Sequence, residues 1–223
     1  LFREEIRHLL EEWPREQERE DDVKFRLVYD GPLPPNDRGL QPLKQEIRRQ
    51  LHPQLQALWQ DHPALAQLIK RKPEPLNYRP VDRIADAHAI GAFKFVPLVR
   101  QANRMACRLE ILVLMRKEPY QVFSGDERGD LDNRIKTLID GLRKPRQATE
   151  VKDLSPLAGE EPFYVLLEDD RVVYEFAVQS DRLLAPAPRD KPERDVVAII
   201  GVHVTTNERH EIAGYSEGFG LVE

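Results

Sequence analysis

Thirteen residues in the middle of the chain, Arg104 to Arg116, do most to limit what it can fold into. They read Arg-Met-Ala-Cys-Arg-Leu-Glu-Ile-Leu-Val-Leu-Met-Arg. Arg108 and Glu110 alternate with Cys107, Leu109 and Ile111, the period of two that a strand with one wet face requires. The alternation then gives way to a continuous apolar run. That is the mark of a central strand covered on both faces at one end.

The rest of the chain supplies the partners such a strand needs. Val23 to Tyr29 reads as a strand, ended by Gly31-Pro-Leu-Pro-Pro-Asn-Asp37, because proline cannot donate to a ladder. Phe163–Leu167, Arg171–Val178 and Val196–Thr205 are further strand candidates. Leu43, Ile47, Leu51, Leu55 and Leu58 recur at helical spacing and predict a helix from about Pro42 to Trp59, kinked at Pro53. A second helix is expected from Pro63 to about Lys70, ahead of the proline-rich loop Lys72 to Pro80. Ile135, Leu138, Ile139 and Leu142 give a third, Leu131–Leu142, one apolar face. Arg143 to about Pro162 reads as a polar, mobile loop, and Leu184 to Pro192 as an extended one. No repeat is visible. The expectation is an α+β fold, a mixed β-sheet with helices packed on it.

Residues 1–22 stand apart as an acidic, amphipathic N-terminal extension, with Ile6, Leu9, Leu10 and Trp13 on one side of a short helix that Pro14 interrupts. The main domain is then 23–223. No run approaches the ~20 apolar residues that cross a membrane. The single cysteine, Cys107, lies in the apolar run and reads as a core thiol of a cytoplasmic protein. His52, His62, His88, His203 and His210 have no metal spacing, and His52 and His62, each before a proline, read as surface or turn residues. Zinc is therefore not expected.

A formal charge of -5 and a pI near 5.8 argue against a simple basic clamp for nucleic acid. The distribution changes that reading. Residues 1–22 hold four arginines and nine acids, which is the whole excess, so residues 23–223 are formally neutral. Between 94 and 152 there are thirteen lysines and arginines against eight acids.

Chemistry concentrates in two segments. In Gly129-Asp130-Leu131-Asp132-Asn133-Arg134-Ile135-Lys136-Thr137-Leu138-Ile139-Asp140, the positions Asp132, Lys136 and Asp140 are spaced i, i+4, i+8 and share a helix face. Asp132 stands at the N-cap, at the positive end of the helix dipole, and Asp130 two residues earlier points to the same side in extended chain. Two carboxylates so placed can share one hard cation; helix capping and a surface ion pair are the plainer uses of the same residues. In Leu166-Leu167-Glu168-Asp169-Asp170-Arg171-Val172-Val173, three acids sit between apolar strands. A tight turn explains them, and so does a divalent metal shared with Asp130 and Asp132.

Together the two segments, Asp130-x-Asp132-Asn133-x-x-Lys136-x-x-x-Asp140 and Asp169-Asp170-x-Val172-Val173, resemble the signature of the RusA-type Holliday junction resolvases. Phe25 to Asn36 is similar to that family's opening strand and Pro-Pro-Asn turn, and the resemblance runs from about residue 23 to about residue 205. The chain differs in carrying Asp126-Glu127-Arg128-Gly129 where the family has arginines, and in its longer 143–162 and Pro63–Ala92 regions. The resemblance implies a RusA-like fold and a magnesium-dependent DNA endonuclease, with manganese as a substitute. It implies metal ligands Asp130, Asp132 and Asp170, catalytic Lys136, and a homodimer cutting opposing strands of branched DNA. Asn133, Asp140 and Asp169 would orient these groups, and Arg128, Arg134, Arg143, Lys144 and Arg146 would contact phosphate. A junction- or partner-binding module without turnover is the alternative. A nucleotide phosphohydrolase lacks support from any Gly-rich phosphate loop.

Overall fold

A computed structural model describes residues 23–34, 40–63, 65–66, 85–116, 131–185 and 196–206. The expected N-terminal helix, most of the helix expected at Pro63–Lys70, and the segment holding Arg128 and Asp130 lie outside these residues.

In chain order the elements are β1 (Val23–Gly31), α1 (Gln41–Asp61), β2 (His88–Ile90), β3 (Phe93–Val99), β4 (Met105–Met115), α2 (Leu131–Leu142), β5 (Phe163–Leu167), β6 (Val173–Arg182) and β7 (Val196–Thr206), with short 3-10 turns at Ala148–Val151 and Asp170–Val172. The architecture is α+β with mixed sheets. One sheet has the order β1-β7-β4-β6 and the other β2-β3-β5. β7 runs antiparallel to β1 and to β4, while β4 pairs with β6, and β3 with β5, in parallel. No helix among the described residues is long and apolar enough to cross a membrane.

β4 is interior to its sheet, as its sequence demands. Cys107, Leu109, Ile111 and Val113 face the main core. Towards its C-terminal end Leu114 joins Val197 and Ile199 in a second cluster on the opposite face. Both faces are covered where the alternation stops. Burial pushes the Cys107 thiol up to about 12, so it is a packed side chain and no nucleophile.

α1 runs without a break through Pro53. The ring sits on the exposed side, where water can meet the Arg49 carbonyl that loses its hydrogen bond. Its buried surface is wider than the Leu/Ile stripe. Ile47, Leu51, Leu55 and Trp59 lie in the main core, and Lys44, Arg48 and His52 are buried beside them. His52 corrects the surface assignment: its Nδ1 accepts from the Tyr164 amide at 2.9 Å, and its Nε2 lies 3.1 Å from the Gly159 carbonyl. A histidine with a partner on each ring nitrogen can be buried without loss.

Two further differences from expectation lie in the second sheet. Phe93–Val99 carries no alternation and is broken by Pro97, so the sequence assigns it no element; it forms β3, paired with β5. The 143–162 segment is packed rather than mobile. Val151 joins Phe93, Phe95, Phe163 and Val165 in a small aromatic core, and Arg143 and Glu160 are buried.

Candidate functional site

The two sheets are joined by two chain crossings that lie side by side. β3 passes to β4 through a tight turn at 101–104, closed by Arg104 N–H to Gln101 O and Met105 N–H to Arg100 O. Arg104 takes a left-handed φ of 54° there. β5 passes to β6 through Glu168, Asp169 and the 3-10 turn. Because β3 pairs with β5 and β4 with β6, the crossings are neighbours: Glu168 N–H donates to Val99 O, and Gln101 N–H donates to a Glu168 carboxylate oxygen at 3.0 Å. Between them opens a cleft of about 370 Å³ lined by Gln101, Ala102, Lys144, Glu168, Asp169 and Arg171.

Asp169 caps the 3-10 turn. Its Oδ1 accepts from the Arg171 amide at 3.2 Å and from Arg171 Nε at 2.8 Å. Arg146 bridges the acid pair, with Nε 3.2 Å from Asp169 and Nη2 2.7 Å from Asp170. Partial burial opposes ionisation of Asp169, but the bonds from Arg171 and the charge of Arg146 outweigh it and hold its carboxyl far below the usual range. Asp170, at 43% side-chain exposure, is the more open of the pair. The acids, with Lys144, Arg146 and Arg171, make a mixed-charge lip on an open cleft.

Asp132 and Lys136 stand exposed on the first two turns of α2, opposite a buried face of Ile135, Leu138 and Leu142. Asn133 is half-buried, and Arg134 donates to the Leu33 carbonyl just past β1. Asp132 lies ten residues before Leu142, so about 15 Å of helical rise parts it from the end of the helix, beyond which Arg146 holds Asp170. Among the described residues no group of three His, Cys, Asp or Glu side chains is placed to hold a metal ion.

Asp140 and Arg143 have tasks other than those expected of them. Asp140 accepts from Lys44 at 2.6 Å and from Arg143 at 3.0 Å, in place of orienting Lys136. Arg143 is 5% exposed and reaches Glu150 as well, so it is held inside the protein and not presented to phosphate. The cause is the crossing of α1 over α2 at Gly141. A Cβ there would lie 2.6 Å from Ile47, so glycine lets the helices approach.

That approach buries Arg48, which donates to the carbonyls of Asp140 and Arg143 at the C-terminal end of α2. Those carbonyls lack helical partners, and a guanidinium also suits the negative end of the dipole. Burial pulls Arg48 down to about 10 against the attraction of Glu150. Lys44, Arg48 and His52 had a legible signal: they recur at i, i+4, i+8, a polar stripe beside the apolar one.

Of the expected site residues, the fold gathers Asp169, Asp170, Arg146 and Lys144 around the cleft, and sets Asp132 and Lys136 together on α2. Glu168, which the sequence marks only as one of the three acids of the turn, and Arg171, which it gives no role, complete the cleft. Comparison with family models, with curated proteins and with solved structures gave no match.

Proposed function

We propose that this protein is a magnesium-dependent DNA endonuclease acting on branched substrates such as four-way junctions, with a RusA-like fold and Asp130, Asp132 and Asp170 as the metal-binding acids. The observation that carries the reading is the cleft at the paired crossings, whose rim carries Asp169 with Asp170 next to it; Asp132, at the other end of α2, and Asp130 are included on their sequence spacing. Carboxylates and guanidiniums alternate at its open edge, the combination that phosphodiester hydrolysis asks for.

The donor chemistry fits a hard cation, since every proposed ligand is a carboxylate oxygen. Bound there, magnesium would lower the pKa of a water and neutralise phosphoryl oxygens. The chain's own groups do the rest. Lys136, one helical turn from Asp132, would stabilise charge developing on the phosphate. Lys144, Arg146 and Arg171 would hold the flanking backbone, a contact that weakens steeply with salt. Arg146 already covers Asp170, so it would exchange that carboxylate for phosphate as substrate arrives. Two sites in a homodimer, related by a two-fold axis, match the symmetry of a four-way junction.

One observation favours a second reading, a junction-binding module without turnover. Both Asp169 and Asp170 are already neutralised by arginines, and the described acids form no group of three. One assay separates the two. Labelled four-way junction, flap, duplex and free nucleotides are incubated with Mg²⁺, Mn²⁺ or chelator. The expected result is metal-dependent cutting of the junction, abolished in Asp132→Asn and in Asp170→Asn while both variants still bind it. Junction binding without cutting in any metal would establish the binding module. Cleavage by Asp132→Asn at the wild-type rate would remove the metal-site assignment.

A further inference from the structure

β6 ends its sheet, with a neighbour on one side only among the described residues. It is ten residues long, contains no proline, and is uncharged from Phe176 to Ser180. Long open edges of this kind are templates for pairing, and proteins ordinarily shield them with charge, proline or a bulge in mid-strand. Here the one irregularity lies at the start, opposite Cys107 and Arg108.

The side chains point the same way. Phe176 pairs laterally with Leu109 and Val178 with Ile111, both core residues, so β6 continues the core face of the sheet. Yet Phe176 is 57% and Tyr174 55% exposed. The apolar layer runs on beyond its helical cover.

We propose that β6 is where two copies of this chain join, antiparallel about a two-fold axis, to make one continuous eight-stranded sheet. The sequence of β6 is self-complementary in one register above the others. A two-fold axis perpendicular to the sheet sets residues of the same parity opposite each other and one residue opposite itself. Centred on Val178, it would set Glu175 against Asp181 twice. Centred on Gln179, it would set Phe176 against Arg182 and Ala177 against Asp181, apolar against charged. Centred on Ala177, it overlaps seven, Tyr174 to Ser180, because the register shift opposite Cys107 and Arg108 puts Val173 out of step, and it opposes no like charges. Phe176 then meets Val178 of the second copy, Tyr174 meets Ser180 and Glu175 meets Gln179. Such cross-strand contacts, added to a ladder of backbone bonds, are what stabilise a sheet.

The inference stands on the edge itself and holds whether or not the protein cuts DNA. The full chain is tested by light scattering over a dilution series, beside Phe176→Glu, which alters an exposed side chain and should fold as judged by circular dichroism. Ala177→Cys and Ser180→Cys are then oxidised mildly in separate samples; Cys107 is buried and leaves the background silent. Residues directly opposite in an antiparallel pair have Cα atoms about 4.5–5.5 Å apart, within disulfide reach. Expected are a wild-type dimer, a monomeric Phe176→Glu, and covalent dimers from A177C but not from S180C. A wild-type monomer at every concentration would leave the edge to some other chain and overturn the proposal. So would a dimer that Phe176→Glu leaves intact, or one in which A177C fails to cross-link. Cleavage assays on the same samples are read separately, so a monomeric nuclease and an inactive dimer are distinct results.

Discussion

Asp140 shows how one carboxylate can be diverted from chemistry to architecture. Burial alone would raise its pKa, but the hydrogen bond from Lys44 and the charge of Arg143 outweigh that and lower it. A carboxyl depressed in the folded state contributes stability that is fully present above its unfolded value, near 3.9, and is lost as pH falls through the folded value. Wild-type protein should therefore lose stability progressively below about pH 4. Asp140→Asn takes the carboxylate from largely buried Lys44, while Arg143 keeps Glu150, and should cost about 1–3 kcal/mol near neutral pH. The variant should also show a flatter acid limb. Thermal melting from pH 7 to pH 3 reads both effects; a variant that tracks the wild type throughout would mean that the pairs contribute nothing.

At the scale of elements, the α1–α2 crossing decides where Arg48, Arg143 and Asp140 go, and it depends on one missing side chain. Gly141→Ala improves helix propensity by about 1 kcal/mol. Its Cβ, however, would meet Ile47 Cγ2 at 2.6 Å and Ile47 Cβ at 2.8 Å, and Ile47 is fully buried. The helices would have to part, so a net loss of about 1–3 kcal/mol in urea denaturation is expected. In an Ile47→Ala background the added loss from Gly141→Ala should be smaller, because Cγ2 and Cδ1 are gone and only Cβ still crowds the new methyl group. Additive losses in the double variant would show that the two side chains do not meet. The same crossing governs the 143–162 segment: Arg49 holds Glu160 at 3.0 Å, and His52 reaches Gly159. A stretch that reads as loop from its polarity is thus tied to α1 by α1's own polar stripe.

For the molecule as a whole, charge is unevenly placed. Residues 1–22 carry the entire formal excess of -5. Deleting them should tighten DNA binding, most at low salt, where surface charges are least screened. A salt series of binding isotherms measures this. Equal affinity at every salt would show that the segment's charge does not reach the DNA surface. A truncated protein that melts earlier would show instead that Leu9, Leu10 and Trp13 belong to the core. Much of this chain was legible before folding. The α+β class, the central β4, the three other long strands, α1 and α2 follow from periodicity, which is a local property of backbone geometry. The acid turn at Glu168–Asp170 was visible because charges between two apolar strands have to surface. What no local pattern could supply was partnership. β3 hides behind Pro97, His52 resembles a pre-proline surface residue, and Asp140 stands on the same helix face as Lys136 yet turns to Lys44 and Arg143. Burial of a polar group is tolerated only when its partner arrives from elsewhere in the chain, and the helix crossing at Gly141 and the paired crossings of the two sheets decide which partners arrive.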